Sequence, residues 1–141
     1  FMNKLQINVI GDSSIVDYFK KKKISFNFLS NINTEEKLIN FYQESDFFIN
    51  QSIQDNGPTM VSESLCCGTP VISFDNGAAK DLIINNLNGY LVKTKSSVHL
   101  AETIKHCLTL NLDKMKVLKK NSRNTGIQHL NLKKNLENII N

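Results

Sequence analysis

The stretch SIQDNGPTMVSESLCCGTPVISFDNG, residues 52–77, holds half of the six glycines and both prolines of a 141-residue chain. Within it, Pro58 stands where the first turn of a helix tolerates a missing N–H, and Gly68 stands where helices commonly end. The segment PVISF that follows is apolar at consecutive positions, which is typical of a strand covered on both faces. These signals predict a helix over GPTMVSESLCCG and a buried strand after it.

Strand and helix patterns alternate along the chain on both sides of this stretch. Strands are predicted in KLQINVIGD, ISFNFLS, DFFIN, PVISF and YLV, with helical patterns between them. In the helix before DFFIN, Leu38, Phe41 and Tyr42 form an apolar stripe at helical spacing, and Asn88-Gly89 marks the turn before YLV. From about residue 96 onward the patterns are helical only.

Alternation of this kind indicates βαβ units, whose right-handed crossovers build a parallel sheet with helices on both faces. We therefore predict the α/β fold class, with a Rossmann-like parallel sheet and an all-helical tail over about 96–141. A chain of 141 residues is long enough for one hydrophobic core and too short for a second full domain. The expected organisation is a single domain over 1–141.

Composition and charge argue against several classes of protein. The formal charge is +4, yet Arg123 is the only arginine. Because nucleic-acid readers depend on the guanidinium fork, we expect no nucleic-acid partner. Three cysteines, two of them adjacent, predict reduced thiols in a cytoplasmic protein and no metal site. No apolar run is long enough for a transmembrane helix, and the mild positive charge favours an anionic ligand or peripheral contact with an anionic membrane face.

The loop after DFFIN leads directly into the helix that begins near Gly57. Ligands of parallel α/β sheets bind beyond the carboxyl ends of the strands, and a helix N-terminus there presents unpaired N–H groups to an anion. Asp55 precedes this helix, and Glu63 within it could accept hydrogen bonds from vicinal hydroxyls. The pattern predicts a site for a phosphorylated, hydroxyl-rich ligand. The alternative is that Asp55 is a helix cap and Glu63 a solvated surface acid.

The chain from Asp55 to Gly77 resembles the signature of the family 4 glycosyltransferases, which have the GT-B fold. Both contain an acid, seven residues, a glutamate (here Glu63), then Gly-x-Pro-Val, a strand and a glycine-containing turn. The segments INVIGD, FLSNINTEEKLINFYQESDFFINQS and DLIINNLNGYLV resemble further parts of that family's C-terminal domain, so the likeness covers most of the chain. The chain departs from the family at Asp55, usually Glu, at Ser30, usually Gly, and at Ala78, where a second Gly is common.

The resemblance implies the C-terminal, nucleotide-sugar-binding half of a GT-B enzyme that retains anomeric configuration and needs no metal or other cofactor. Glu63 would bind the ribose of the nucleotide, and Asp55 would lie beside the transferred sugar. Backbone N–H groups at the start of the helix would hold the diphosphate, and the loop after the second strand would lie near the base. The donor-binding candidates are therefore Ser30, Asn31, Asn56, Gly57, Pro58, Thr59 and Met60.

The resemblance implies transfer of a hexose from a UDP- or GDP-sugar to a glycan or lipid-linked acceptor. The low-arginine, Asn- and Lys-rich composition separately favours a bacterial source, and hence surface polysaccharide synthesis on the cytoplasmic side of the membrane. The family's N-terminal, acceptor-binding domain is missing from this chain, so we expect little or no turnover from it alone. Two alternatives stay open. One is a nucleotide-sugar epimerase on the same GT-B plan, and the other is a non-catalytic, flavodoxin-like or receiver-like binding module.

Overall fold

The computed structural model describes residues 5–11, 13–29, 32–54 and 59–130 of the chain. Within those ranges the strands are β1 (Ile7–Ile10), β2 (Phe26–Leu29), β3 (Phe48–Asn50), β4 (Val71–Phe74) and β5 (Gly89–Val92). The helices are α1 (Ser14–Lys21), α2 (Glu35–Glu44), α3 (Thr59–Cys66), α4 (Gly77–Leu82), α5 (Ser97–Cys107) and α6 (Leu112–Leu130). The chain divides into two units, Phe1–Phe41 and Tyr42–Asn141.

The first unit contains one parallel strand pair. Strand β1 pairs with β2 so that Ile7 lies opposite Phe26 and Ile10 opposite Leu29. Helix α1 connects the two strands, and the ring of Phe19 on α1 lies 5.0 Å from the ring of Phe26, centroid to centroid. This aromatic contact packs the crossover helix against the strand that follows it.

The second unit is built on a three-stranded sheet with β4 in the middle. Strand β4 pairs in parallel with β3 on one side and with β5 on the other, and Ile72 lies opposite Ile49 of β3. All four residues of β4 are buried, as the apolar run PVISF predicts. Because the strands are parallel, their carboxyl ends at Asn50, Phe74 and Val92 lie along one edge, called the carboxyl edge below.

Hydrophobic clusters cover both faces of this sheet. One cluster contains Val61, Leu65, Val71, Ala79 and Ile83. The other contains Ile72, Phe74, Tyr90, Val92, Cys107 and Leu118. Val71 belongs to the first cluster and its neighbour Ile72 to the second, because successive side chains of a strand point to opposite faces. Helices α3 and α4 therefore pack on one face of the sheet, and α5 packs on the other together with Leu118 in the first half of α6.

Helix α3 ends in a Schellman motif. The Gly68 N–H donates to the Leu65 carbonyl and the Thr69 N–H donates to the Ser64 carbonyl, both at 2.9 Å. Gly68 has φ +80°, a left-handed conformation that a residue with a Cβ atom adopts only with strain. The helix stop predicted at Gly68 is confirmed.

Helix α6 approaches the end of α3 very closely. A Cβ atom at Gly126 would lie 2.6 Å from the backbone nitrogen of Cys66, so the two backbones come together where the side chain is only a hydrogen. The Arg123 guanidinium adds a hydrogen bond to the Cys66 carbonyl. The last turn of α3 is thus stabilised both by its own C-terminal cap and by contacts with α6.

The predicted α/β class, with parallel strands and flanking helices, is confirmed. The described strands hydrogen-bond in two sets, β1 with β2 and β3–β4–β5. Helices α5 and α6 agree with the predicted helical tail, and its remainder, 131–141, lies outside the described residues. The single domain over 1–141 stays a prediction. No helix in the described ranges is long and apolar enough to cross a membrane.

Candidate functional site

Three of the predicted site residues belong to the described part of the chain, and all three are on α3. Thr59 and Met60 begin the helix, and both are exposed. Glu63, on the next turn, is half-buried. The other predicted site residues lie outside the described residues, namely Ser30, Asn31, Asp55, Asn56, Gly57 and Pro58.

Helix α3 begins near the carboxyl edge, because it follows β3 and returns the chain to the amino end of β4. Its first N–H groups have no partner within the helix. At a rise of 1.5 Å per residue, Glu63 lies about 6 Å along the helix axis from Thr59. Side chains on a helix lean toward its N-terminus, so the Glu63 carboxylate is displaced back toward the carboxyl edge.

The Glu63 carboxylate accepts a hydrogen bond from a buried tyrosine. The Tyr42 hydroxyl donates to Glu63 Oε2 at 3.1 Å, and only 2% of Tyr42 is exposed. A hydrogen bond to an ionised group contributes about 1.5–3 kcal/mol. This contact directs the carboxylate toward the protein instead of into bulk solvent.

Tyr42 is itself held at two points. Its ring packs edge-on against Phe48, with the ring centroids 5.6 Å apart. Its carbonyl accepts a hydrogen bond from the Thr69 hydroxyl at 2.6 Å, and the Thr69 carbonyl accepts one from the Ser64 hydroxyl at 2.9 Å. Ser64 is next to Glu63 on α3. The hydrogen bonds through Thr69 therefore connect the backbone of Tyr42 to the same helix that the Tyr42 hydroxyl contacts.

The electrostatics of this pair keep the tyrosine in its donor form. Burial, together with the neighbouring Glu63 carboxylate, holds the pKa of the Tyr42 hydroxyl well above its usual value of 10.0. The phenol is therefore protonated throughout the physiological pH range. It can serve Glu63 as a hydrogen-bond donor under all conditions in which the protein would act.

A second group of hydrogen bonds lies at the carboxyl edge. Asn50 Nδ2 donates to Ser73 Oγ at 3.2 Å, from β3 to β4. Beyond the strand ends, Asn76 Nδ2 donates to the Ser52 carbonyl at 2.5 Å. Asn76 Oδ1 is buried, and no described residue donates to it. These contacts tie the loop that leads toward Thr59 to the loop after β4.

A cavity of about 410 Å³ lies elsewhere in the second unit, between α5 and the start of β5. It is lined by Asn85, Asn86, Tyr90, Leu91, Glu102, Thr103 and His106. None of the predicted site residues lines it, and it contains no helix N-terminus that would attract phosphate. We therefore place the candidate site at Glu63 and the start of α3.

Among the described residues no three His, Cys, Asp or Glu side chains are grouped to hold a metal ion, and the metal-free reaction stays a prediction.

Sequence reasoning missed the contact of Tyr42 with Glu63. It placed Tyr42 in an apolar stripe of α2, and the residue is indeed buried. The available signal was chemical, because the hydroxyl of a buried tyrosine usually has a hydrogen-bond partner. The identity of that partner could not be predicted, since 21 residues separate it from Tyr42 in the chain.

Known glycosyltransferases are similar to this chain. An uncharacterized glycosyltransferase of Methanocaldococcus jannaschii, MJ1069, is 25% identical over 95% of this chain. A crystal structure of a glycosyltransferase from Rickettsia africae is 27% identical, with a TM-score of 0.72 over 92% of this chain. Anabaena HepE, solved in complex with UDP, is 21% identical, with a TM-score of 0.70 over 88% of this chain. The chain spans 35%, 38% and 36% of the length of these three proteins, respectively.

The likeness of fold agrees with the expected half of a GT-B enzyme. Assignment to family 4 and to the C-terminal half stays a prediction. The sequence profile of the family described as Glycosyl transferases group 1 matches residues 4–125, which include every described strand and Glu63. The chain belongs to the group 1 family of glycosyl transferases.

Proposed function

We propose that the chain is the donor-binding, C-terminal half of a retaining family 4 glycosyltransferase, which transfers a hexose from a UDP- or GDP-sugar to a glycan or lipid-linked acceptor. Membership of the group 1 family supports a transferase. Anabaena HepE, solved with UDP and with UDP-glucose, supports a nucleotide-sugar as the donor for a chain of this fold. The observation on this chain that carries the proposal is the carboxylate of Glu63, held on α3 by Tyr42.

Glu63 is proposed to bind the ribose of the nucleotide. An ionised carboxylate has two oxygens with about four lone-pair sites, so it can accept hydrogen bonds from both hydroxyls of a vicinal diol. Tyr42 uses one site on Oε2, and no described residue donates to Oε1. The remaining acceptor capacity suits the 2′- and 3′-hydroxyls of a ribose.

The start of α3 is proposed to bind the diphosphate. Thr59 and Met60 are the described part of the predicted segment 56–60, and their exposure leaves the helix start accessible. Unpaired N–H groups and the partial positive charge of a helix N-terminus stabilise an anion there. Asp55 would lie beside the transferred sugar. Positioning of the donor and electrostatic stabilisation of the departing diphosphate would then supply most of the catalysis, without a metal ion.

The proposed setting is bacterial surface polysaccharide synthesis on the cytoplasmic side of the membrane, with peripheral contact to its anionic face. It rests on the Asn- and Lys-rich composition and the formal charge of +4. The donor half would act with an N-terminal acceptor-binding domain and would turn over little or no substrate alone. The relatives described above, about three times as long as the region matched, support such a second half.

The proposal is tested by binding of UDP-, GDP- and ADP-sugars to the 141-residue chain, measured by thermal shift and calorimetry. A ligand at one hundred times its Kd stabilises the folded state by about 2.7 kcal/mol. Glu63→Ala should abolish this stabilisation, and Glu63→Gln, which keeps an acceptor for Tyr42, should weaken it. Glu102→Ala removes an exposed acid on α5 and should change nothing. The proposal is wrong if no nucleotide-sugar binds the wild-type chain, or if Glu63→Ala binds it equally well.

Binding alone does not separate a transferase from a nucleotide-sugar epimerase, because both hold the same donor. A product assay on the full-length enzyme does separate them. A transferase yields a glycosylated acceptor with the donor's anomeric configuration, and an epimerase changes the sugar without any acceptor.

A further inference from the structure

The Tyr42 hydroxyl donates a hydrogen bond to the Glu63 carboxylate. We propose that Tyr42 is a positioning residue: its hydroxyl holds the Glu63 carboxylate in one orientation, so that the ribose of the nucleotide meets an acceptor already in place. The inference rests on the proposed ribose-binding role of Glu63. It adds a residue to which the resemblance to known glycosyltransferases gave no role.

A positioning residue must itself be fixed, and Tyr42 is. The position of its ring is set by only two χ angles, and the ring packs edge-on against Phe48. The hydrogen bond from the Thr69 hydroxyl fixes its carbonyl at 2.6 Å, and Thr69 is only 1% exposed. The donor atom therefore has a defined place relative to the backbone of α3.

Glu63 needs such support because its own side chain is long and only half-buried. A glutamate with three rotatable bonds populates several rotamers unless a partner selects one, and a ligand that must order it loses affinity. Because the hydrogen bond from Tyr42 forms when the chain folds, the entropy cost of ordering the Glu63 side chain does not reduce the affinity for the ligand. Preorganisation of this kind is what supporting residues contribute to a binding site.

The chemistry of a phenol suits the task. A lysine or arginine at the same place would compete with the ligand hydroxyls for the carboxylate oxygens through its positive charge. The Tyr42 hydroxyl is neutral, occupies one acceptor site on Oε2, and leaves Oε1 for the ligand. It orients the acid without reducing its negative charge.

The positioning role differs from a purely structural one in what it predicts for ligands that lack the ribose hydroxyls. If Tyr42 acts through Glu63, its hydroxyl matters only to ligands that contact Glu63. If it only stabilises the fold, its loss weakens every ligand to the same extent. Paired ligands with and without the 2′- and 3′-hydroxyls therefore separate the two roles.

The experiment measures the Kd of UDP and of 2′,3′-dideoxy-UDP by calorimetry on the 141-residue chain, with the ADP and GDP pairs measured in the same way. Wild type should bind the ribose form about tenfold more tightly than the dideoxy form. Tyr42→Phe should weaken the ribose form about fivefold, which is about 1 kcal/mol, and leave the dideoxy form unchanged. Glu63→Ala should bind both forms equally.

Tyr90→Phe is the matched control. Tyr90 is 6% exposed, and its hydroxyl is buried without a hydrogen-bond partner in the described part of the chain. Removal of this oxygen should leave both affinities at their wild-type values. If Tyr42→Phe does not fold, Thr69→Val releases the carbonyl of Tyr42 instead, and it should reduce the preference for the ribose form about twofold.

The outcomes distinguish this inference from the proposed function. If wild type binds none of the diphosphates, or binds both forms equally, the role of Glu63 is wrong and the positioning role fails with it. If wild type prefers the ribose form and Glu63→Ala does not, the role of Glu63 stands. In that case an unchanged preference in Tyr42→Phe, or equal weakening of both forms, overturns the inference. An unchanged preference in Thr69→Val does the same if that variant is the one measured.

Discussion

Substitution of Gly126 by alanine tests the packing of α6 against α3, the helix that carries Glu63. The new Cβ atom would lie 2.6 Å from the Cys66 nitrogen, 2.7 Å from its Cα and 2.8 Å from the Leu65 carbonyl carbon. All three are backbone atoms, so no side chain can turn away to relieve the contact. Because carbon atoms need about 3.5 Å, the helices must move apart by most of an ångström.

The expected change in the free energy of unfolding of Gly126→Ala is the sum of two opposing contributions. Overpacking of a close contact costs about 1–3 kcal/mol, and three backbone clashes put this site at the upper end. Alanine recovers about 1 kcal/mol because it is a better helix former than glycine. We expect Gly126→Ala to lower the free energy of unfolding by about 2 kcal/mol, which corresponds to a fall in Tm of about 6 °C for a chain of this size.

Differential scanning calorimetry with urea unfolding measures both quantities. Asn124→Ala is the control, since Asn124 is an exposed residue of the same helix and its replacement adds helix propensity without a clash. It should keep or slightly raise the Tm. A Gly126→Ala variant that melts at or above the wild-type Tm would refute the reasoning about the α3–α6 contact.

Two further predictions concern buried groups of the second unit. Asn88 donates to the Leu82 carbonyl and to Thr125 Oγ1, both at 2.9 Å, and accepts from the Ile84 N–H at 2.8 Å. We expect Asn88→Ala to lower the free energy of unfolding in urea by about 3 kcal/mol, near 1 kcal/mol per lost bond, and a loss below 1 kcal/mol would contradict this. Burial raises the pKa of the Cys107 thiol from 9.0 to about 12, so the thiol stays neutral in the folded chain while it ionises in the unfolded chain. The free energy of unfolding should therefore fall as pH rises from about 9 to about 12, and urea titrations across that range should show a shallower fall for Cys107→Ala than for wild type.

The sequence predicted those parts of the fold in which a short run of residues favours the same structure that packing in the folded chain requires. The apolar run PVISF becomes β4, whose four residues are all buried. Gly68 ends α3 because its left-handed backbone conformation is tolerated there without strain. The role of Asn88-Gly89 was predicted only in part. The turn is present, but a Cβ atom at Gly89 would lie 2.2 Å from the Val71 carbonyl oxygen, so this glycine also serves strand pairing.

Features that join distant parts of the chain could not be predicted. The Tyr42–Glu63 hydrogen bond spans 21 residues, and the bond from Asn88 to Thr125 spans 37. Neither has a local pattern, because each joins segments that only tertiary packing brings together. The predicted roles of Asp55, Ser30 and Asn31 stay predictions, since these residues lie outside the described part of the chain.

The anchoring of α3 at its last turn has a consequence for how such a protein can be altered. Its capping hydrogen bonds, the Ser64–Thr69 contact and the approach of Gly126 all act at or beyond Ser64. Together with the buried Val61 and the hydrogen bond from Tyr42, these contacts fix the rotational setting of the helix around Glu63. A change that disturbs this end of the helix is therefore expected to move Glu63 relative to Tyr42.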